Sequence, residues 1–577
     1  MSSFIIATSF LVSGVLGQIG VSRLSPVDVA SFNSSVNGRL YPGIPWAKPC
    51  FSLYNDRSST PDQAACSVVQ KNYFNAHIAR SDAFGAYENL QFETCMKTGD
   101  QCMLDWMNAA NAQAFTLPQQ CKQGSVPPLY VDVQSDKDVT AAFAFAKKKN
   151  LMLTVKNTGH DFKGRSAGPD SLALWMHNLK SMKYNPKFTP GGCKNSQNAI
   201  TYGAGVQFAD LYAFANKNGV EIVGGADESV GAAGGFIQGG GHSITSPSLG
   251  LAADRVLEFK IVTPDGQLRT VNDCQNQDLF FALRGGGGGT FGVVMEVSIL
   301  TTKPQPYITA TITWPTDANN TNLRKATAAY VELATDLAKQ KYGGYFTPTT
   351  GALFLMVPNL SKATVTKTLK PLADLTKSVG GNFSVDSVDN FWGYFNPYLQ
   401  GKLAVTEDTV GLPVVMSSRL IPESNHRTAQ GRKQLVDALM NSFANSIFTQ
   451  LHITSPFSSS SASSISTPSS VNPVWRQSLY QIIWVNTWMY NSQLSDRQTA
   501  FATSSKAANY LRAITPDSGA YTNEGDVHEP DWSKSFWGSN YARLASIKQK
   551  YDPNQLLDCW QCVGWKGNNA PQYKCYI

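Results

Sequence analysis

The sequence predicts an α+β fold in two parts, one discontinuous domain with a lobe inserted into it, and three observations carry this. Residues from about 126 to 303 alternate short apolar, strand-like runs with amphipathic helical stretches. After Lys303 the texture changes to longer strands and helices, up to about residue 514. A cysteine-rich stretch (18–125) precedes these parts, and a last helix with a cysteine-rich tail (515–577) follows and rejoins the first part. With 577 residues, 42% of them hydrophobic and 15% charged, the chain is long enough for two or three lobes.

The chain begins MSSFIIATSFLVSGVLGQIG. Its apolar run is too short to span a bilayer, and Val15 and Gly17 offer small residues for cleavage, so residues 1–17 read as a secretory signal peptide. No later stretch reaches the length of a membrane span, and the expected location is extracellular or the secretory lumen. Ten cysteines fit that compartment, where most are expected in disulfides of open pairing. Cys559 and Cys562 form a CxxC without a second CxxC or a paired histidine, which favours a structural bridge over redox or zinc chemistry. Sequons at Asn33, Asn319, Asn359 and Asn382 fit N-glycans on surface loops. The net charge of +7 is scattered, with no basic stripe interleaved with aromatics, so nucleic acid is not an expected partner.

Next comes PLYVDVQSDKDVTAAFAFAKKKNLMLTVKNTGHD, which reads strand, helix, strand. Ser135 caps the helix, Val139, Phe143 and Ala146 share its inner face, and residues 151–155 form the second strand. AITYGAGVQFADLYAFANKNGVEIVGG repeats the pattern, with its helix ending at Gly219. VLEFKIVTPDGQLRTVN is a hairpin turning at Pro264, Asp265 and Gly266. In the inserted lobe, ITATITW and GALFLMV predict strands, and residues 323–340 and 427–448 predict helices. Residues 457–470 are serine-rich and read as a surface loop. Residues 477–491 alternate, placing Tyr480, Ile482, Trp484, Asn486, Trp488 and Tyr490 on one strand face that either stacks a planar substrate or packs on helices. YARLASIKQKYDP predicts the last helix.

Gly287, Gly289 and Gly292 match GxGxxG, but they follow a helix (DLFFALR) and precede a strand (VVMEVSIL). A dinucleotide fold needs strand, glycines and then a helix N-terminus, so the Rossmann reading fails, and no P-loop motif occurs. Gly234, Gly235, Gly239, Gly240 and Gly241 let backbone N–H groups approach a ligand closely. With NTGHDFKGRSAG and GGGGGTFGVV they make three loops able to cradle phosphates or a flat ring.

KNTGHDFKGRSAG, GGFIQGGGHS, LRGGGGGTFGVV and NYARLASIKQKYDPNQLLDCWQCVGW together resemble the secreted FAD-linked oxidases of the berberine-bridge-enzyme-like branch, within the vanillyl-alcohol-oxidase (PCMH-type) flavoproteins. The match covers roughly residues 120–305 and 515–566. The resemblance implies an FAD-binding domain at 126–303, a substrate domain at 304–514 (an antiparallel sheet covered by helices), and a return to the FAD domain at 515–577. It implies that a ring nitrogen of His160 is joined to the flavin 8α-methyl carbon, a neutral imidazole being a nucleophile for that carbon. Asn157, Thr158, Gly159, Asp161, Gly164, Arg165, Ser166, Gly234, Gly235, Gly239, Gly240, Gly241, His242, Gly292, Val293 and Val294 complete the implied cofactor set, with His242 as a hydrogen-bonded loop residue. Asn540 and Tyr541 resemble positions that meet the flavin's ribityl and pyrimidine edges. Many relatives add a cysteine link to flavin C6; the matching position here is near Asp227 and has no cysteine, which implies a single covalent link.

GAYTNEGD resembles the family's Y-x-N-x-x-D segment and makes Tyr521 the first and Glu524 the second candidate for a catalytic group over the ring. The implied activity is an oxidase that takes a small organic metabolite and O2, gives hydrogen peroxide, holds no metal, and exists as a monomer or weak dimer. A carbohydrate oxidase is one alternative, and a silent flavin-containing binding protein is another.

Overall fold

The computed structural model describes residues 18–399, 409–457 and 467–577. The signal-peptide reading of 1–17 and most of the serine-rich stretch lie outside the described residues.

The first part of the chain builds two small sheets. Strands β1 (Leu40–Pro42), β2 (Leu129–Asp132), β3 (Leu153–Lys156) and β4 (Leu172–Trp175) lie in the order β1-β2-β4-β3. β2, β4 and β3 are parallel, and β1 adds antiparallel from the cysteine-rich segment. The crossover is α1 (Asp136–Lys149), opened by Ser135 with Asp138 as a capping box and packed through Val139, Ala142, Phe143 and Ala146. Five antiparallel strands form the second sheet: β5 (Met182–Phe188), β6 (Gln197–Gly203), β7 (Val256–Val262), β8 (Leu268–Asn272) and β9 (Val293–Leu300). Their order is β8-β7-β9-β6-β5, and β7 and β8 are the expected hairpin. Helix α2 (Phe208–Lys217) follows β6, and α3 (Gln277–Leu283) precedes the glycine run.

The inserted lobe is one seven-stranded antiparallel sheet: β10 (Tyr307–Thr313), β11 (Gly343–Thr347), β12 (Ala352–Pro358), β13 (Asn382–Val388), β14 (Val415–Pro422), β15 (Phe448–Ile453) and β16 (Ser478–Asn486), in the order β13-β10-β12-β11-β15-β16-β14. Helices α4 (Thr321–Lys339), α5 (Ala429–Phe443) and α6 (Leu494–Arg512) cover one face. The helix expected over 427–448 is shorter at both ends: Thr428 caps its start, and Phe448 pairs with Val485 as the first residue of β15. The expected strand over 477–491 ends at Asn486. Beyond it the chain packs on the cysteine-rich segment, where Trp106 Nε1 donates to Trp488 O at 3.0 Å. Tyr480, Ile482 and Trp484 are fully buried against the helices, and Trp484 Nε1 donates to Ser442 Oγ of α5. The aromatic face is therefore core, and the opposite face of the sheet is the one left for a ligand.

The final helix, α7 (Tyr541–Tyr551), packs beside α3, and the tail returns to the first part. All ten cysteines pair, as 50–66, 95–575, 102–121, 193–274 and 559–562. The last pair confirms the CxxC as a closed bridge. Among the described residues no helix is long and apolar enough to cross a membrane.

Candidate active site

The three glycine-bearing loops converge on one cavity, lined by residues from 157–162, 230–236, 288–289 and 292–294 together with Arg165 and Ser166. Val155 at the end of β3 delivers the first loop to the cavity wall, and Gly159, at φ +96°, makes the turn that presents His160. Asp161 accepts from Arg165 Nε at 2.8 Å and from the Arg165 backbone N–H at 2.6 Å, which closes the loop on itself. Arg165 also donates to Asn523 Oδ1 at 3.0 Å, tying this loop to the C-terminal return.

Two glycines show why side chains are excluded here. A Cβ on Gly288 would lie 2.9 Å from Gly235 Cα, a backbone atom that cannot swing aside, whereas a Cβ on Gly235 would meet nothing within 4 Å. The two loops touch through backbone alone, and Gly235 leaves open space on the cavity side. Asn157 Oδ1 and Gln238 Oε1 line the cavity, buried and without a hydrogen-bond partner. Acceptors in that position suit a ligand with N–H or O–H donors, as the ribityl and pyrimidine parts of FAD have. The residues present therefore fit an extended cofactor with a flat ring.

His160 Nε2 lies 2.6 Å from Ser229 Oγ, and Ser229 Oγ lies 2.8 Å from Asp227 Oδ1. An ionised carboxylate only accepts, so Ser229 donates to Asp227 and accepts from His160 Nε2–H. This sets the tautomer and leaves Nδ1 of His160 with the free lone pair. Burial pushes the His160 imidazole down to about 4, against the pull of Asp227, so the ring is neutral.

The sheet of the inserted lobe lines the cavity through Tyr345 on β11 and Gln450 and His452 on β15, and Gln481 on β16 stands opposite His452 in the same cross-strand row. Glu524 from the C-terminal return meets it: His242 Nε2 donates to Glu524 Oε1 at 2.9 Å, and Gln481 Nε2 donates to Oε2. His452 Nε2 donates to Gln450 Oε1 at 2.9 Å and its Nδ1 faces Glu524 Oε2 at 3.7 Å. Burial alone would raise the Glu524 carboxyl, but His242, His452 and Gln481 hold it below the usual range as a carboxylate. The ligand atoms of His242, His452 and Glu524 lie within 4.8 Å of one another, the one such group among the described residues. His242 Nε2 and Gln481 Nε2 are committed to Glu524, whereas Nδ1 of His242 and Nδ1 of His452 are buried without a hydrogen-bond partner.

Three expectations are corrected. Tyr521 lines the cavity, but its hydroxyl accepts from Gly241 N–H at 3.1 Å and Asn523 Nδ2 at 2.7 Å, and burial pushes it well above the ordinary phenol range. It holds the glycine loop at the cavity wall. Asn540 and Tyr541 do not line the cavity: Asn540 Nδ2 donates to Val471 O, and Tyr541 packs edge-on to Trp532. Leu557, Asp558 and Cys559 line it instead. Gly164, Gly239, Gly240 and Gly241 also stand behind the wall; a Cβ on Gly164 would meet Phe92, and one on Gly239 would meet Asn523. Sequence reasoning missed Tyr345, Gln450 and His452, whose only signal was alternation along β11 and β15.

An FAD binding domain family matches residues 127–272, and the berberine and berberine-like family matches residues 520–563. The FAD-linked oxidoreductase ffsJ of Aspergillus flavipes is 37% identical over 94% of this chain and 93% of its own length. This chain is a member of the fungal berberine-bridge/VAO-like FAD-linked oxidoreductases. Another FAD-linked oxidoreductase, cheF of Chaetomium globosum, is 34% identical over 95% of the chain and 88% of its own. The structure of the VAO-type flavoprotein MtVAO615 from Myceliophthora thermophila C1 superposes with a TM-score of 0.83 at 28% identity, covering 95% of this chain and 97% of that one. A glucooligosaccharide oxidase of Acremonium strictum, which carries a 6-S-cysteinyl, 8α-N1-histidyl FAD, shares the fold at a TM-score of 0.62 and 20% identity, over 76% of this chain and 91% of its own. The oxidoreductase binds FAD.

Proposed function

We propose that this FAD-linked oxidoreductase is a secreted oxidase that carries FAD on His160, oxidises a small organic metabolite at a C–O or C–N position and passes the electrons to O2 as hydrogen peroxide. The observation that carries the reading is the neutral His160, its Nε2–H given to Ser229 and its Nδ1 free. Nδ1 is then the attachment atom. The Acremonium glucooligosaccharide oxidase holds its flavin through a cysteine as well as a histidine. This chain has Asp227 where that cysteine is expected, so one link is proposed.

Bound FAD supplies a two-electron hydride acceptor. Glu524 takes the proton of the substrate hydroxyl or amine, steadied by the N–H groups of His242 and Gln481. Tyr345, Gln450 and His452 orient the substrate from the sheet of the inserted lobe. The polar face of that sheet also favours a second reading, a carbohydrate substrate. Secretion is supported by the five disulfides, which persist in an oxidising compartment. Three sequon asparagines, Asn319, Asn359 and Asn382, are exposed, and Asn33 is half-buried.

The test is an anaerobic screen of alcohols, amines, phenolic metabolites and oligosaccharides for bleaching of the flavin band, followed by air and a peroxide assay. Bleaching and peroxide are expected with a metabolite; an oligosaccharide hit supports the second reading. A yellow protein that nothing reduces would leave only a binding role.

A further inference from the structure

The cysteine-rich N-terminal segment reaches into the cofactor site. His77, in the short helix His77–Ser81, pairs with Asp227 across 2.8 Å between Nδ1 and Oδ2. Its Nε2 lies 3.2 Å from Asn75 Oδ1, so both ring nitrogens face oxygen acceptors and the ring holds two protons. Burial opposes that charge, but the Asp227 carboxylate raises the imidazole to about 9. Asp227 is itself held well below the ordinary range despite burial, through His160 and His77.

The same segment is bolted to the His160 loop. Asn89 Nδ2 donates to His160 O at 3.0 Å, and Glu88 N–H donates to Gly159 O at 3.3 Å. Lys156 Nζ, at the end of β3, donates to Phe84 O and Ala86 O at 2.6 and 2.5 Å. The result is a continuous chain of groups, His77, Asp227, Ser229 and His160, drawn from three separate segments.

We propose that His77, Asp227 and Ser229 form a relay that draws the Nε2 proton from His160 and so drives its bond to the flavin. The inference rests on His160 being the attachment residue. In the step, His160 Nδ1 forms a bond to C8α and one C8α–H bond breaks. The electron pair goes to the isoalloxazine, and the C8α and Nε2 protons are released, the latter through Ser229 to Asp227. Dioxygen then takes the two electrons and two protons to give hydrogen peroxide, which restores the oxidised ring. Asp227 and Ser229 act through His160 by taking up its proton, and His77 orients the Asp227 carboxylate.

The experiment expresses the full chain as wild type, D227N, S229A, S229T and H77Q. Each is precipitated in acid, and flavin is measured in pellet and supernatant, with total bound FAD and melting temperature measured on the native protein. Wild type and S229T are expected to hold flavin in the pellet. D227N and S229A are expected to bind FAD in full yet attach it about 100-fold more slowly, the scale of general acid–base assistance. H77Q should show a smaller loss of the same kind. S229T matters because it keeps the hydroxyl, so loss in S229A with recovery in S229T separates the relay from packing. Attachment at the wild-type rate in D227N, or equal attachment in S229A and S229T, overturns the relay; if D227N does not fold, the serine pair decides. A wild type whose flavin is wholly in the supernatant refutes the attachment itself.

Discussion

Gly235→Ala isolates the contact between the glycine loop and the cofactor. The new methyl meets no protein atom within 4 Å, and Gly235 lines the cavity. The protein therefore tolerates it, with melting unchanged or raised by the about 0.4–1 kcal/mol that Gly-to-Ala gains in the unfolded chain. Against a cofactor packed on that backbone, an extra methyl group costs about 1–3 kcal/mol of overpacking. At about 1.4 kcal/mol per tenfold, affinity falls by about 5- to 150-fold. Gly288→Ala is the contrasting change: its methyl would press on Gly235 Cα at 2.9 Å, so stability and binding both fall. The assay titrates FAD against each variant in a His160→Ala background, so that a tether cannot hide weak binding, and melting is followed in parallel. FAD binding by Gly235→Ala equal to that of the background would refute the reasoning that this loop bears on the cofactor.

Glu524→Gln keeps shape and removes the base; anaerobic flavin reduction by an identified substrate should slow about 10²- to 10⁴-fold, and an unchanged rate would move the base elsewhere. His160, His426 and His452 are each pushed down to about 4 from 6.5 by burial, so unfolding takes up protons between those values. Their stabilisation, with that of His177, which burial lowers alike, is complete above pH 6.5 and is lost as pH falls towards 4. The Asp227 and Glu524 carboxylates held low add to that loss, against Glu88, Glu93, Glu221, Glu529 and Asp558, which burial raises. Melting temperature should therefore fall over that interval, and a flat profile contradicts the neutral buried imidazoles. Cys575→Ser opens the bridge from the tail to Cys95, beside Tyr576, which donates to Lys163 O in the His160 loop. Urea unfolding should show a loss of about 2–4 kcal/mol, and an unshifted midpoint would mean that the tail is held by packing alone.

The parts of the site legible in the sequence were those written locally. Gly159 beside His160, Gly234 and Gly235, and the run through Gly292 mark close backbone approach wherever they fold, and the strand and helix order around them excluded a Rossmann reading. What is assembled by register was not legible. Tyr345, His452 and Gln481 meet only because three strands pair in one register, and a one-residue slip would turn each into the core. Periodicity along 477–491 showed two faces but not which one met helices; α5 and α6 decided it by burying Trp484. Asp227 was noted only for the cysteine it replaces, and its meaning lies in His77, 150 positions earlier (227 − 77). Asn540 and Tyr541 were placed by resemblance; in the structure Tyr541 packs on Trp532 and Trp537, and Asn540 bonds to Val471 O.

Protease digestion of the purified chain, followed by mass spectrometry of the peptide containing His160, tests the account most directly. The expected peptide carries the mass of one FAD, with fragmentation assigning it to the imidazole. An unmodified His160 peptide, recovered in full from yellow protein, would contradict the tether and the roles given to Ser229 and Asp227 around it.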